Sequence, residues 1–282
     1  AVKFGRTNKL GIVTEVISET NIKTKPIHMV LDDLPIFSKT ELKIFKWASD
    51  YYLHPIGEVI NSFLPTNLRQ TKNTFEAETI ESNKEIIEQN SEFQTTLNSE
   101  QIKAVKFLNE LKGFMPTLLH GVTGSGKTEV YIRCIYEQLL NNKSVLILAP
   151  EIALTPQLES RVRNQFGDLV GIYHSKMTPS ARYKAWKKFR SGELKVIIGT
   201  RSAVMMPAPK LGLIVVDEEH DPSYKQEETP IYNARDLAVL RASTLKSQII
   251  LSSATPSIET WHNCRLGKYH KVDLLKRFGE VF

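Results

Sequence analysis

Four residues in the stretch LLHGVTGSGKTEVY, Leu118 to Tyr131, have the types and spacing to hold a phosphate: Gly121, Gly126, Lys127 and Thr128. They fit the pattern G-x-x-x-x-G-K-[ST]. Glycines let a backbone curl until successive N–H groups point inward at phosphate oxygens. A helix that begins near Lys127 adds the positive end of its dipole. The whole turn, Gly121, Val122, Thr123, Gly124, Ser125, Gly126, Lys127, Thr128 and Glu129, is the candidate nucleotide site. Lys127 is placed to reach the β- and γ-phosphates, and Thr128 to hold Mg²⁺. Further along comes LIVVDEEHD. Asp217 follows an apolar strand run, the position of a Walker B carboxylate that holds the metal. Glu218 is placed to polarise an attacking water. A third carboxylate, Glu219, precedes His220. The candidate catalytic set is Lys127, Asp217, Glu218 and His220. Two carboxylates at one strand end favour hydrolysis of a nucleoside triphosphate by water over transfer to a small acceptor.

These groups need a scaffold that brings loops to one edge. From residue 96 onward, short apolar runs alternate with helical segments: PTLLHG, SVLILAP, LVGIYHS, KVIIGT, LGLIVVDEE and QIILSSAT. Near-continuous apolar runs suit parallel strands covered on both faces. The intervening segments are long enough for crossover helices. The expected fold is α/β, a doubly wound parallel sheet with its ligands at the carboxyl ends of the strands. Asn98 and Gln101 have the spacing of a capping box for a helix over Ser99–Lys112. Ahead of this domain, residues 1–69 read as a small partial α+β domain. It has a strand-like KLGIVTEVI and then a helical hairpin. Ser38 and Glu41 form a capping box before LKIFKWASDYYL. His54-Pro55 ends that helix, IGEVINSF makes a second, and Pro65 stops it. Residues 70–95 are polar and acidic, a linker between the two.

Composition bounds the function. The chain has 282 residues, 41% of them apolar and 24% charged. No apolar run approaches the ~20 residues of a membrane span, and no membrane partner is expected. The opening AVKFGRTNKL lacks a signal peptide's apolar core. It also lacks an initiator Met and begins inside a strand-like stretch, as an internal fragment would. Cys134 and Cys264 lack metal-type spacing and read as free thiols of a cytoplasmic protein. Net charge is +6, but Gln70 to Gln94 carries −4, which leaves +10 elsewhere. A basic body suits a polyanionic partner.

SSAT, Ser252 to Thr255, ends the strand after DEEH. Together with LAPEIALTPQ and GTRSAV, these motifs resemble the superfamily 2 nucleic-acid helicases and translocases. The resemblance implies a RecA-like P-loop motor lobe over residues 96–282, using ATP and Mg²⁺. It implies DNA-backbone contacts at Thr155, Thr200, Arg201 and Ser202, which position a strand without reading it. Gln101 in LNSEQ matches the adenine-reading glutamine of that superfamily, beside its capping role. The segment DPSYKQEETPIYNARDLAVLRA resembles the aromatic-rich loop of DNA-type members, and Tyr224, Lys225, Tyr232 and Arg235 are its candidate DNA contacts. Aromatic faces stack single-strand bases and cations track phosphates.

Within the superfamily, the match from Leu97 to about Leu275 resembles the primosomal protein N′ family of bacterial replication-restart helicases. It rests on GVTGSGKTEVY, APEIALTPQ, YHSKM, GTRSAV, DEEHDPSYKQ and YNARDLAVLRA. DYYLHPIGEVINSFLP, Asp50 to Pro65, resembles that family's N-terminal domain, which captures the 3′ end of the nascent leading strand at a fork. The implied partners are forked and single-stranded DNA, single-strand binding protein and primosome proteins. A winged-helix domain of the family has only residues 70–95 in its place. The second motor lobe with its arginine finger has no counterpart here, and zinc is expected only in the absent C-terminal part. An arginine finger is worth roughly 10³–10⁵ in rate, so weak hydrolysis and no unwinding are expected of the fragment. An RNA helicase of the same superfamily is the alternative, since DEEH is one residue from DEAH. A non-catalytic fork-DNA module is a third reading. SARYKAWKKFRS, Ser180 to Ser191, is either a basic DNA stripe or an aromatic core face under a solvated basic one.

Overall fold

A computed structural model of the chain describes residues 2–4, 7–32, 34–69, 93, 95–151 and 156–277. The chain opens with an antiparallel ribbon, β1 (Val2–Phe4) and β2 (Thr7–Lys9). Helices α1 (Lys39–Tyr52) and α2 (Ile56–Phe63) follow as a hairpin. Next come α3 (Ser99–Glu110), β3 (Pro116–Gly121), α4 (Lys127–Leu140) and β4 (Ser144–Leu148). α5 (Pro156–Phe166), β5 (Val170–Tyr173), α6 (Pro179–Ser191), β6 (Val196–Gly199) and β7 (Leu211–Val216) continue the alternation. A two-stranded pair, β8 (Lys225–Gln226) and β9 (Tyr232–Asn233), leads into α7 (Ala234–Leu245). The chain then adds β10 (Gln248–Ser253), α8 (Ile258–Arg265) and β11 (His270–Leu274).

Seven strands form one sheet in the order β11-β3-β10-β7-β4-β6-β5, with every neighbouring pair parallel. The apolar runs become strands because both faces are covered. β4 and β7 are buried along their whole length. Leu119, Val145, Ile147, Val215 and Ile250 face one layer, built by α3, α4 and α5. Leu146, Leu148, Ile197, Ile214 and Leu251 face the other. β11 escaped the sequence reading because HKVDL alternates, as befits an edge strand with one partner.

The second layer holds more than α6 and α7. Ile44, Phe45, Val59, Ile60 and Phe63 of the α1–α2 hairpin belong to the same apolar cluster as Leu146, Ile197 and Ile214 of the sheet. Phe63 packs on Tyr232 at 5.1 Å between ring centroids. Burying each such side chain contributes about 1.5–3 kcal/mol. The hairpin starts as its sequence directs. The Ser38 N–H donates to Glu41 Oε2 at 2.7 Å, and the Glu41 N–H donates to Ser38 Oγ at 3.2 Å. Leu53 closes α1 in the left-handed region, φ 57°, before Pro55. Tyr52 and His54 then reach the segment around β9. The Asn233 N–H donates to the Tyr52 hydroxyl oxygen at 3.2 Å, and the Ile231 N–H donates to His54 Nε2 at 2.9 Å.

One expectation for the N-terminal part differs from the structure, and one open alternative for Ser180 to Ser191 is resolved toward its aromatic core face. Of KLGIVTEVI only Lys9 lies in a strand, and Val13, Val16 and Ile17 are exposed. A strand needs a neighbouring ladder, and these residues have none among the described ones. The basic helix α6 is a core element: Trp186 and Phe189 are fully buried. Its Arg190 donates to the backbone carbonyls of Pro35 and Ile36. Most of the acidic linker lies outside the described residues. Its far end docks, with the Arg133 guanidinium 3.4 Å over the Phe93 ring and donating to the Thr95 carbonyl. Among the described residues no helix is long and apolar enough to cross a membrane.

Candidate nucleotide site and motor edge

β3 ends at Gly121 and α4 starts at Lys127, so the loop between them wraps the N-terminus of a buried helix. Gly124 and Gly126 sit at φ 82° and 79°, where a side chain would be strained. A Cβ on Gly121 would stand 2.5 Å from Ser125 Oγ and 3.0 Å from the Leu274 carbonyl oxygen, so the curl closes tightly there. The Lys127 ammonium is buried and donates back to the Gly121 carbonyl at 2.8 Å. The Ser125 hydroxyl is buried with no partner among the described residues. An unpartnered hydroxyl, an ammonium resting on its own loop and a helix N-terminus are a donor set for a polyanion. Those residues fit a triphosphate.

The acid faces them from the end of β7, one strand away across β10. Asp217 Oδ1 accepts from Ser252 Oγ at 2.9 Å and from the Glu218 N–H at 3.2 Å. Tyr131, one turn along the helix from Lys127, donates its hydroxyl to Asp217 Oδ2 at 3.3 Å. One phenol thus ties the helix that carries Thr128 to the acid. Burial raises the Asp217 carboxyl above its ordinary value, against the Ser252 hydrogen bond and the Lys127 charge that lower it. Glu218 is also raised, first by burial and then by the neighbouring Asp217 charge. Acids held this way gain from a cation. The donor set of Asp217 with the Thr128 hydroxyl fits Mg²⁺.

Glu218 adopts φ 44°, a left-handed conformation uncommon outside glycine. His220 bridges motifs, with Nδ1 2.8 Å from Ser253 Oγ, Nε2 3.3 Å from Thr255 Oγ1, and Glu218 Oε2 at 3.6 Å from Nδ1. DEEH and SSAT therefore meet as side chains.

The residues expected to hold adenine or DNA fare unevenly. Gln101 is fully buried: its Oε1 accepts from the Asn98 N–H at 2.8 Å and its Nε2 donates to the Ser125 carbonyl at 2.9 Å. It caps α3 and braces the phosphate loop, so the capping part of the expectation is met. Tyr224 and Tyr232 are also buried. The Tyr224 hydroxyl donates between the carbonyls of Leu148 and Asp217, at 2.9 and 2.5 Å. Neither ring offers a face for stacking. Arg235 is turned inward too, donating to Glu219 Oε2 at 3.2 Å and Ser257 Oγ at 2.8 Å. Thr200 is buried with its N–H on the Tyr173 carbonyl, and the Ser202 hydroxyl is buried. Arg201 is half-buried and donates to the carbonyls of Ser223 and Lys225 at 3.1 and 3.2 Å. Lys225 alone of the predicted loop contacts is exposed. Thr155 lies outside the described residues. The loop packs inward because its tyrosines each bury a ring and find a hydroxyl partner or an aromatic neighbour.

Tyr131 was missed, although a signal existed: it lies four residues after Lys127 and hence on the same helix face.

With this geometry in hand, likeness to known proteins is informative. A profile described as DEAD/DEAH box helicase matches residues 98–263. The chain belongs to the DEAD/DEAH box helicase family. Residues 1–65 of this helicase-family chain match a second family, described as 3'DNA-binding domain (3'BD). Replication restart protein PriA of Rickettsia felis is 41% identical over 283 residues, covering 99% of this chain and 42% of that protein. Replication restart protein PriA of Haemophilus influenzae is 33% identical over 350 residues, covering 99% and 48%. The chain spans less than half the length of these curated relatives. Among solved structures, RecG bound to a three-way DNA junction superposes with a TM-score of 0.51 at 18% identity, covering 84% of this helicase-family chain and 30% of that one. That likeness is one of fold.

Proposed function

We propose that residues 96–282 are the ATP-binding motor lobe of a DNA helicase that acts at stalled replication forks to restart replication. Residues 1–69 are its 3′-end DNA-binding part and 70–95 its linker. The observation that carries the reading is the Tyr131–Asp217 hydrogen bond, which ties the helix that starts at Lys127 and Thr128 to the carboxylate at the end of β7, where the Lys127 charge also acts on it. The names of the long relatives support the process, and the match over residues 1–65 supports the DNA end. Mg²⁺, when bound, neutralises charge on the β- and γ-phosphates. The chain's own residues do the rest. Backbone N–H groups of Gly124 to Lys127 and the Ser125 hydroxyl bind phosphate oxygens. Lys127 leaves the Gly121 carbonyl for the γ-phosphate. Thr128 and Asp217 hold the metal. Glu218 orients a water at the strand edge and accepts its proton, and His220 ties that edge to Ser253 and Thr255. Lys225 and Arg201, with Thr155, meet the DNA backbone. Forked and single-stranded DNA are the substrates, and unwinding belongs to the longer protein. Single-strand binding protein and primosome proteins are its proposed partners.

Binding of a fluorescent ATP analogue with and without Mg²⁺ tests the motor reading. Lys127→Ala should lower affinity about 100-fold, since it removes a charge-assisted contact from a desolvated site. Unchanged affinity in that variant overturns the assignment. A salt series with forks that carry or lack a free 3′-OH leading-strand end tests the DNA reading. Equal binding to both forks sinks the role given to residues 1–69.

A further inference from the structure

The third residue of DEEH has a buried carboxylate that the proposed chemistry does not use. Glu219 is 1% exposed. Its Oε1 accepts from the Ser257 N–H at 2.7 Å. Its Oε2 accepts from Ser257 Oγ at 3.0 Å, Thr260 Oγ1 at 2.9 Å and Arg235 Nη1 at 3.2 Å. Those donors come from the starts of α7 and α8. The Glu219 N–H donates to the Ser252 carbonyl at 3.0 Å, which pins the same residue to β10. On its other side Asp217 is pinned to β4, its N–H on the Leu148 carbonyl at 2.8 Å. Between these two anchors stands Glu218 at φ 44°. A non-glycine residue there is strained, and such strain persists only where the surroundings over-determine the backbone.

We propose that Glu219, with Arg235 as its counter-charge, is a positioning residue that holds Glu218 in this conformation. It thereby sets where the Glu218 carboxylate and the His220 ring face. The inference rests on the reading of Glu218 as the water-orienting acid, but its backbone part stands apart from activity. Glu218→Gly removes the strain and should raise the unfolding midpoint of the chain by about 2–4 °C. In a Glu219→Gln background the turn relaxes, and the same glycine substitution should give no gain. Equal gains in both backgrounds, or none in the parent, overturn the proposal, because a merely structural Glu219 makes the two changes additive.

The kinetic arm uses single-turnover ATP hydrolysis by the same chain. Glu219→Gln should keep MgATP affinity within about twofold while slowing hydrolysis about tenfold. Glu218→Gln in the same assay separates the two failures. If it leaves the rate unchanged, the role given to Glu218 falls. If it abolishes hydrolysis while Glu219→Gln does not slow it, the positioning role alone falls.

Discussion

Two stretches of this chain are equally rich in residues that do chemistry, and they resolve in opposite ways. In the loop from Gly121 to Thr128 two side chains are unspent or on loan: Ser125 Oγ has no partner among the described residues and Lys127 borrows a carbonyl of its own loop. From Tyr224 to Arg235 they are committed. Tyr224 bonds two carbonyls, Tyr232 packs on Phe63, and Arg235 is locked to Glu219 and Ser257. The first stretch is built to receive a ligand, and the second to hold the receiver in place. What separates them is the presence of internal partners, which residue type alone does not reveal.

The largest effect that would break this contrast concerns Tyr224. Tyr224→Phe keeps an aromatic ring, so a base-stacking role would tolerate it. A bolt would not. The structure predicts a loss of about 1–3 kcal/mol in denaturant unfolding, because the Asp217 carbonyl loses this donor and the Leu148 carbonyl keeps only the Asp217 N–H. Affinity for single-stranded DNA should stay within about twofold. Full stability with unchanged DNA affinity is what a stacking ring would give, and would return Tyr224 to the DNA interface.

A smaller effect sharpens the other side. Burial raises the folded-state Asp217 carboxyl above its ordinary value of 3.8. Between that value and the folded one, the folded chain binds more protons than the unfolded one. Stability therefore falls as pH rises through that window, and the cost is complete above it. Asp217→Asn should raise the apo unfolding midpoint by about 2–4 °C at neutral pH, with the gain vanishing as pH falls toward 3.8. The same substitution should remove the magnesium dependence of nucleotide binding. A variant less stable than the parent at neutral pH would mean that the Asp217 carboxylate is fully compensated by its neighbours.

The smallest effect lies at Lys225, the exposed cation of the committed stretch. Lys225→Gln should weaken single-stranded DNA binding a few-fold and reduce the salt slope by about one. An unchanged slope would leave the whole stretch without a direct DNA contact.

Much of the motor was legible in the sequence, for physical reasons. Continuous apolar runs announced buried parallel strands, and the glycine spacing announced the phosphate loop. Asn98–Gln101 and Ser38–Glu41 announced helix starts through local bonds that need no tertiary context. What stayed hidden depends on partners far along the chain. The spacing of Gln101 announces a cap, but not the bond from its amide to the Ser125 carbonyl on a distant loop. Tyr232 resembles a stacking platform until Phe63 is seen against it. Glu219 looks like one more acid in an acidic turn, and its four donors lie on two helices that the sequence places well downstream.

The acidic linker invites a cut between the hairpin and the motor, but the apolar cluster runs straight across that seam. Removing α1 and α2 would strip cover from Leu146, Ile197 and Ile214 and leave a greasy wall open to water. The hairpin is a lever welded to the engine block: a load on α1 or α2 reaches the sheet through the apolar contact itself, not through the linker.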